Sequence, residues 1–338
     1  MKQTLKHIFL LVARTLGAFR LARYLTRKEW RILAYHGIWL GPDHFGNHLF
    51  MQADTFRRRM QLIGDRGYPV VSLATLLDDG AHENAPVAIT IDDGWRGTYE
   101  HMLPALEQAA LPATLYLYTA YVDSQQPVAS VTLRYLIHRA ARRGVTSLPY
   151  PPGPEATTQS LDAIAAGASA HLQALANDDQ RDAFLDELAA ALGEDLNEIR
   201  RNRWLHLMTG DEVSDAQRRG LDIQLHTHDH RTSVGGEDVL GEEIERNRQR
   251  ILAMTGKEAD QFCYPSGVFV PENFPVLASL GVRSATTTEQ GLAGPHQNPF
   301  ALPRIMDGED VSELEFEAEL SGFMSLLRRG LRGPAATT

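Results

Sequence analysis

A single cysteine, Cys263, stands in 338 residues. It excludes an intrachain disulfide framework and leaves the redox compartment open. No apolar run approaches the roughly 20 residues that a bilayer span needs. Positive charge is not in excess either. The formal net charge is −10, which argues against nucleic acid as a partner. Internal repeats are absent. One local absence is sharper: residues 1–28 hold no Asp or Glu and seven Lys/Arg. Within that stretch Leu5, Ile8, Phe9, Val12, Leu16 and Phe19 recur at spacings of three and four, which is a helical period. A basic amphipathic helix of this kind either packs on its own domain with its basic face in water or lies on an anionic membrane surface. A secretory signal fits less well, because Arg14 cuts the apolar stretch after Ile8–Ala13. The expected location is therefore cytoplasmic or peripheral to a membrane rather than secreted.

The remainder has ordinary globular composition, with 43% hydrophobic and 22% charged residues, and is long enough for a large core. Arg31–Tyr35 reads as a short buried strand, Thr55–Arg66 as a helix, and Val70–Ser72 as another strand. Val87–Ile91 is β-branched and apolar on both faces, as a buried parallel strand should be. Gly94–Ala110 follows as a helix and Ala113–Thr119 as a strand, completing a βαβ unit. Residues 125–206 interrupt the alternation. They hold a Pro149–Pro154 loop and two alanine-rich helical stretches near 158–176 and 179–192, a helical insertion. Alternation resumes with a helix at 210–219, the strand Leu221–Leu225, and a helix at 241–255 capped by Gly256. A strand at Phe262–Tyr264, a helix at Phe274–Leu280 and a strand at Val282–Thr286 complete the series. The expected organisation is an N-terminal helix at 1–28, a domain at 29–320 with the insertion at about 125–206, and a flexible tail at 321–338. Repeated βα units with reactive residues at strand ends predict an α/β barrel whose chemistry sits where the strands run out.

Three segments carry that chemistry. Asp92 and Asp93 end a buried strand, where adjacent carboxylates repel each other and suffer desolvation unless a positive charge is near. A divalent metal on Asp93 supplies it and leaves Asp92 as a base. The same pair also suits an Asp-Gly turn with a helix N-cap. His226-Thr227-His228-Asp229-His230 puts three histidines in five residues. His226 and His230 would share a face on a helical turn, whereas His226 and His228 would share one on a strand. Asp229 reads as solvated rather than as a group orienting a ligand. Finally, Pro265 and Gly267 flank Ser266 in a tight turn, from which its backbone N–H can face a cleft as an oxyanion donor. Cys263 reads as core, since no basic neighbour is visible in sequence.

Together these segments resemble the polysaccharide deacetylase family, carbohydrate esterase family four, whose domain is also described as nodulation-factor deacetylase-like. Thr90-Ile91-Asp92-Asp93-Gly94 matches its T-[FI]-D-D-G motif and His226-Thr227-His228-Asp229-His230 its H-[ST]-x-x-H motif. Cys263-Tyr264-Pro265-Ser266 corresponds to its R-x-P-[YF]. The resemblance covers roughly residues 30–310. Tyr35-His36-Gly37-Ile38 looks like the Y-H-x-I segment of the branch acting on exopolysaccharides. The resemblance implies a distorted (β/α)7 barrel. It also implies a divalent metal, commonly zinc, on Asp93, His226 and His230, with Asp92 as base and the Ser266 amide at the oxyanion. The implied activity is metal-dependent removal of acetyl groups from N-acetylhexosamine units of an acetylated glycan or lipid-linked sugar.

Two departures accompany it. Cys263 stands where the family has an arginine that steadies the base, and no L-x-H, the usual place of the general acid, occurs near the C-terminus. Leu302-Pro303-Arg304-Ile305 lies in that region, so Arg304 is expected to replace the missing charge beside Asp92. His36, at the end of an early strand, is a candidate acid, although a satisfied core histidine reads equally well. Rival functions are an O-acetyl carbohydrate esterase, which needs the same machinery, and a non-catalytic glycan-binding protein on the same fold.

Overall fold

The structure, a computed structural model, describes residues 2–79, 83–151, 156–231 and 237–332. Seven parallel strands close a barrel in chain order: β1 (Arg31–Tyr35), β2 (Val87–Asp93), β3 (Ala113–Leu117), β4 (Leu221–Leu225), β5 (Gln261–Cys263), β6 (Ser284–Gln290) and β7 (Leu302–Met306). The expected (β/α)7 barrel is thus present. Closure runs through β1, which pairs in parallel with both β2 and β7. The strands β1, β2 and β3 are buried along their whole length, consistent with their near-continuous apolar runs. The β6–β7 pairing shifts register between Thr286 and Gln290, which distorts the barrel on that side.

Several elements differ from the sequence reading. Val70–Ser72 is not a strand; only Val70 bridges Val87. The helix expected from Gly94 starts later, as a π-helical turn at Thr98–Met102 leading into an α-helix at Leu103–Ala109. Gly94 has φ +96° and lies so close to Leu117 that a Cβ there would overlap its Cδ1. This glycine permits the chain to turn sharply off β2. The strand β7 was not expected at all.

The insertion contains its two alanine-rich helices, Leu161–Ala174 and Asp178–Leu192, with further helices at Ala129–Arg142 and Leu196–Asn202. Part of the expected Pro149–Pro154 loop lies outside the described residues. Its first two residues, Pro149 and Tyr150, are not loop: Ser147–Tyr150 pairs with Thr157–Ser160 as a short antiparallel hairpin. Of the expected tail, Phe323–Arg332 is helical and 333–338 lie outside the described residues. The N-terminus forms two helices, α1 (Lys2–Thr15) and α2 (Ala18–Leu25). No described helix is long and apolar enough to cross a membrane.

Candidate active site

The reactive side chains gather at the end of the barrel where the strands run out. Residues two apart on a strand share a face, and Thr90 and Asp92 of β2 both meet Arg304 of β7. The Arg304 guanidinium donates from Nη1 to Asp92 Oδ1 at 2.8 Å and from Nη2 to Asp92 Oδ2 at 2.7 Å. Its remaining donors reach Thr90 Oγ1 at 3.1 Å and the Thr287 carbonyl at 2.8 Å. This is a bidentate, charge-assisted pair with no exposed guanidinium surface. Burial works against the charged form of Asp92, but Arg304 outweighs it and holds the carboxyl below its ordinary value of 3.8. Asp92 is therefore ionised across the neutral range.

Asp93 is the last residue of β2 and has a left-handed φ of 74°. Its Oδ1 comes within 3.4 Å of His226 Nε2 and 3.5 Å of His230 Nε2. Its Oδ2 accepts the Trp95 indole N–H at 2.8 Å. Burial opposes the Asp93 charge too, yet the hydrogen bond with His226 and the surrounding imidazoles hold its carboxyl well below the usual range. Ligand atoms of Asp93, His226 and His230 all lie within 4.8 Å of one another, the one such carboxylate–imidazole cluster among the described residues. Two imidazoles and a carboxylate are the donor set of a catalytic zinc site with open positions.

His226 is held in place by hydrogen bonds from both its ring and its backbone. His226 Nδ1 lies 2.8 Å from the Cys263 carbonyl, which only accepts, so Nδ1 carries a proton. Burial opposes a second proton, yet Cys263 and the hydrogen bond to Asp93 push the imidazole well above its ordinary value, and a metal at Nε2 would take that proton's place. The His226 amide donates to Asn247 Oδ1 at 3.0 Å. Asn247 Nδ2 in turn donates to the Leu117 carbonyl at 2.9 Å and to Thr119 Oγ1 at 3.2 Å. One side chain thus locks the β3 and β4 ends together. Burial, then the neighbouring His226, pushes His230 down to about 4, leaving it neutral and able to ligate.

The backbone brings His230, rather than His228, to Asp93. Thr227 and His230 both have positive φ, 64° and 54°, so the segment is neither a helical turn nor a strand. His230 comes to Asp93, while His228 Nδ1 turns away to Thr119 Oγ1 at 2.8 Å. His230→Ala should therefore abolish stoichiometric zinc binding and His228→Ala should preserve it, as read by metal content after gel filtration. The Asp229 carboxylate lies near Arg231 and Arg246, each at 3.8 Å, rather than behind a ligand.

His36 places Nε2 3.8 Å from Asp92 Oδ2, on the same mouth. Ser266 follows β5 in a one-turn 3-10 helix with φ 57°, and its residue is exposed. Four non-glycine residues with left-handed φ (Asp93, Thr227, His230 and Ser266) thus ring one mouth, where strain commonly accompanies function. Cys263 is buried, as expected of a core residue. However, its Sγ lies 3.3 Å from Arg304 Nη2 and 3.7 Å from Asp92 Oδ2, inside the charged cluster. Trp95, Asn247 and Thr119 stand outside the sequence motifs. Only Trp95, one residue past Asp-Asp-Gly, left a local trace. Beside His230 opens a cavity of about 1030 Å³ walled by Tyr118, Tyr121, Leu172 and Arg181.

Fold and site define a seven-stranded parallel-barrel protein with a candidate metal centre at its mouth. A sequence model of the polysaccharide deacetylase family matches residues 79–148 and 190–285, and the chain belongs to that family. A poly-beta-1,6-N-acetyl-D-glucosamine N-deacetylase of Staphylococcus aureus (strain N315) is 22% identical over 119 residues. That stretch covers 32% of this chain and 41% of the relative, so the match spans well under half of the relative's length. Among solved structures, the Streptococcus pyogenes deacetylase PplD in complex with acetate superposes with a TM-score of 0.58 at 16% identity, covering 86% of this chain and 98% of that one. IcaB from Ammonifex degensii gives 0.55 at 14%, covering 87% and 97%. At these identities the superpositions establish the shared fold. The family match breaks between 149 and 189, so Leu172 and Arg181 on the cavity wall come from a segment outside it.

Proposed function

We propose that this chain is a metal-dependent N-deacetylase acting on N-acetylhexosamine units of an exopolysaccharide-type glycan. The observation that carries the reading is the pairing of two differently served carboxylates. Asp92 is clamped as an anion by Arg304, and Asp93 is aimed at two imidazoles. The donor set fits zinc. A divalent ion held by Asp93, His226 and His230 would acidify water and polarise the acetyl oxygen.

The chain's own residues do the rest. Asp92 accepts a proton from the attacking water as its oxygen bonds to the acetyl carbon. The Ser266 amide donates to the oxygen that gains negative charge. An amine is a poor leaving group until protonated, and His36 is the group proposed to deliver that proton to nitrogen as the C–N bond breaks. Acetate and a free amino sugar result. The exopolysaccharide assignment draws on the Tyr35-His36-Gly37-Ile38 segment and on the N-deacetylase activity named for the staphylococcal relative. The cavity beside His230 gives room for sugar units flanking the reacting one.

Acetate release from an N-acetylglucosamine polymer is the test. Chelation should abolish release and zinc should restore it. Release that persists unchanged in chelator overturns the metal-dependent reading. Release from O-acetylated but never from N-acetylated glycan makes the chain an esterase. Saturable glycan binding without any acetate leaves it a binding protein.

A further inference from the structure

The two N-terminal helices present their apolar faces outward. On α1 and just past its end, the periodic side chains Leu5, Ile8, Phe9, Val12 and Leu16 form one stripe, exposed by 50 to 80%; within it the Phe9 ring also meets Phe323, with centroids 6.0 Å apart. The helix is held to the domain by a different face. Leu10 and Ala13 pack with Phe19 of α2 and with Leu314 and Ala318. Lys6 and Arg14 pair with Glu315 at 2.5 Å and Glu317 at 3.4 Å. The expectation that a self-packed helix would bury its apolar stripe and expose only its basic face is therefore corrected. On α2, Leu21, Tyr24 and Leu25 are likewise exposed, and Leu331 of the neighbouring helix Phe323–Arg332 is 86% exposed. Stripes of this size on one face of a protein mark a contact surface rather than scatter.

Charge identifies the occupant. Residues 1–28 carry seven Lys/Arg and no acid, whereas the other 310 carry 26 Lys/Arg against 43 Asp/Glu, a formal charge of −17. A second copy would bring its own basic helix pair to the contact and be repelled. The segment 333–338, Gly-Pro-Ala-Ala-Thr-Thr, has no large apolar side chain with which to cover the stripe. An apolar stripe set in a basic, acid-free segment is complementary to a surface that is anionic outside and apolar beneath. We infer that the outward face of α1 and α2 docks this protein peripherally on an anionic lipid surface.

The fold adds a consequence. The loop after α2 leads into the start of β1, where Arg31 is fixed by the Thr26 and Leu320 carbonyls. The docking helices therefore join the barrel at the end where its strands begin, opposite the mouth that holds Asp92 and His226. A docked molecule keeps its mouth toward water, suited to a glycan chain in the aqueous phase rather than to a sugar at the headgroup plane of the same surface.

Vesicle co-sedimentation of the full chain tests the inference, using phosphatidylcholine vesicles with and without phosphatidylglycerol. Binding is expected only with phosphatidylglycerol and should weaken as salt rises. Ile8→Glu combined with Val12→Glu, both half-exposed on the stripe, should weaken it at least tenfold, with an unchanged circular dichroism spectrum and unchanged acetate release from soluble glycan. Absence of binding, or equal binding to both vesicle types, overturns the inference. So does a stable dimer in light scattering that these substitutions disperse, because the face would then belong to a second copy. Loss of acetate release in every variant and in wild type strikes the proposed function and leaves the lipid measurement standing.

Discussion

Asp92→Asn is expected to retain one zinc per chain and to lose about 10³-fold in kcat/KM for acetate release. The proposed metal donors are Asp93, His226 and His230, and none of them hydrogen-bonds Asp92. Asparagine keeps the shape of the side chain and one acceptor oxygen but cannot take a proton from water. The substitution also removes the counter-charge of Arg304. A guanidinium is basic enough to stay charged in proteins even when buried, so Arg304 keeps its charge when its partner is lost. Breaking one side of a buried pair costs about 3–5 kcal/mol, so the variant should melt well below wild type. Rates belong at a temperature where both are folded. Wild-type kcat/KM in the folded, zinc-loaded variant would remove Asp92 from the role of base.

Acid should produce a related effect on stability. The folded pKa of Asp92 lies below its ordinary value of 3.8. Its contribution is therefore fully present above that value and is lost as pH falls through the depressed folded value. Asp92→Asn should erase this part of the acid transition.

The barrel was legible because β1, β2 and β3 are near-continuous apolar runs, while β4 alternates apolar and polar residues. Arg31–Tyr35 and Leu221–Leu225 were located to the residue, and both end at reactive side chains. The strand β7 escaped because its sequence, Leu-Pro-Arg-Ile-Met, places a proline and a charge where a buried strand should be apolar. The charge is there for Asp92, a partner more than 200 positions away, and no local pattern records such a pairing. His226 and His230 were legible as a pair, but the competing His226–His228 pair was not excluded. The deciding features are left-handed φ values at Thr227 and His230, and neither residue type announces them; for a β-branched threonine such a conformation is uncommon. The stripe on α1 was legible as a helical period, yet a period carries no sign of which side the domain occupies. Asn247 stayed hidden because it lies mid-helix, where a lone polar residue normally faces water, and its three partners come from the ends of β3 and β4 and the loop after β3.

Arg304→Met should be the most damaging single change at the site, and its repair should come from Cys263. Without the guanidinium, burial acts on Asp92 unopposed by its main partner and raises the carboxyl from its depressed value. The acid limb of the pH profile of kcat/KM should move upward, and stability at neutral pH should fall by about 3–5 kcal/mol. Arg304→Lys should rescue little. One ammonium cannot reproduce the two parallel bonds to Oδ1 and Oδ2, nor can it also serve Thr90 and the Thr287 carbonyl. Cys263→Arg alone should also destabilise, since it forces a second guanidinium beside one that is already buried and paired. The two changes should nevertheless compensate. Cys263 Sγ lies 3.7 Å from Asp92 Oδ2 on the strand two places from β7 in the barrel, and an arginine is the residue that the family motif carries at that position. Arg304→Met combined with Cys263→Arg should therefore recover activity and melting temperature above either single variant, a coupling of roughly 1–3 kcal/mol in a double-mutant cycle. Simple additivity in that cycle would show that the barrel interior has been repacked around position 304, and that the positive charge beside Asp92 cannot be supplied from β5.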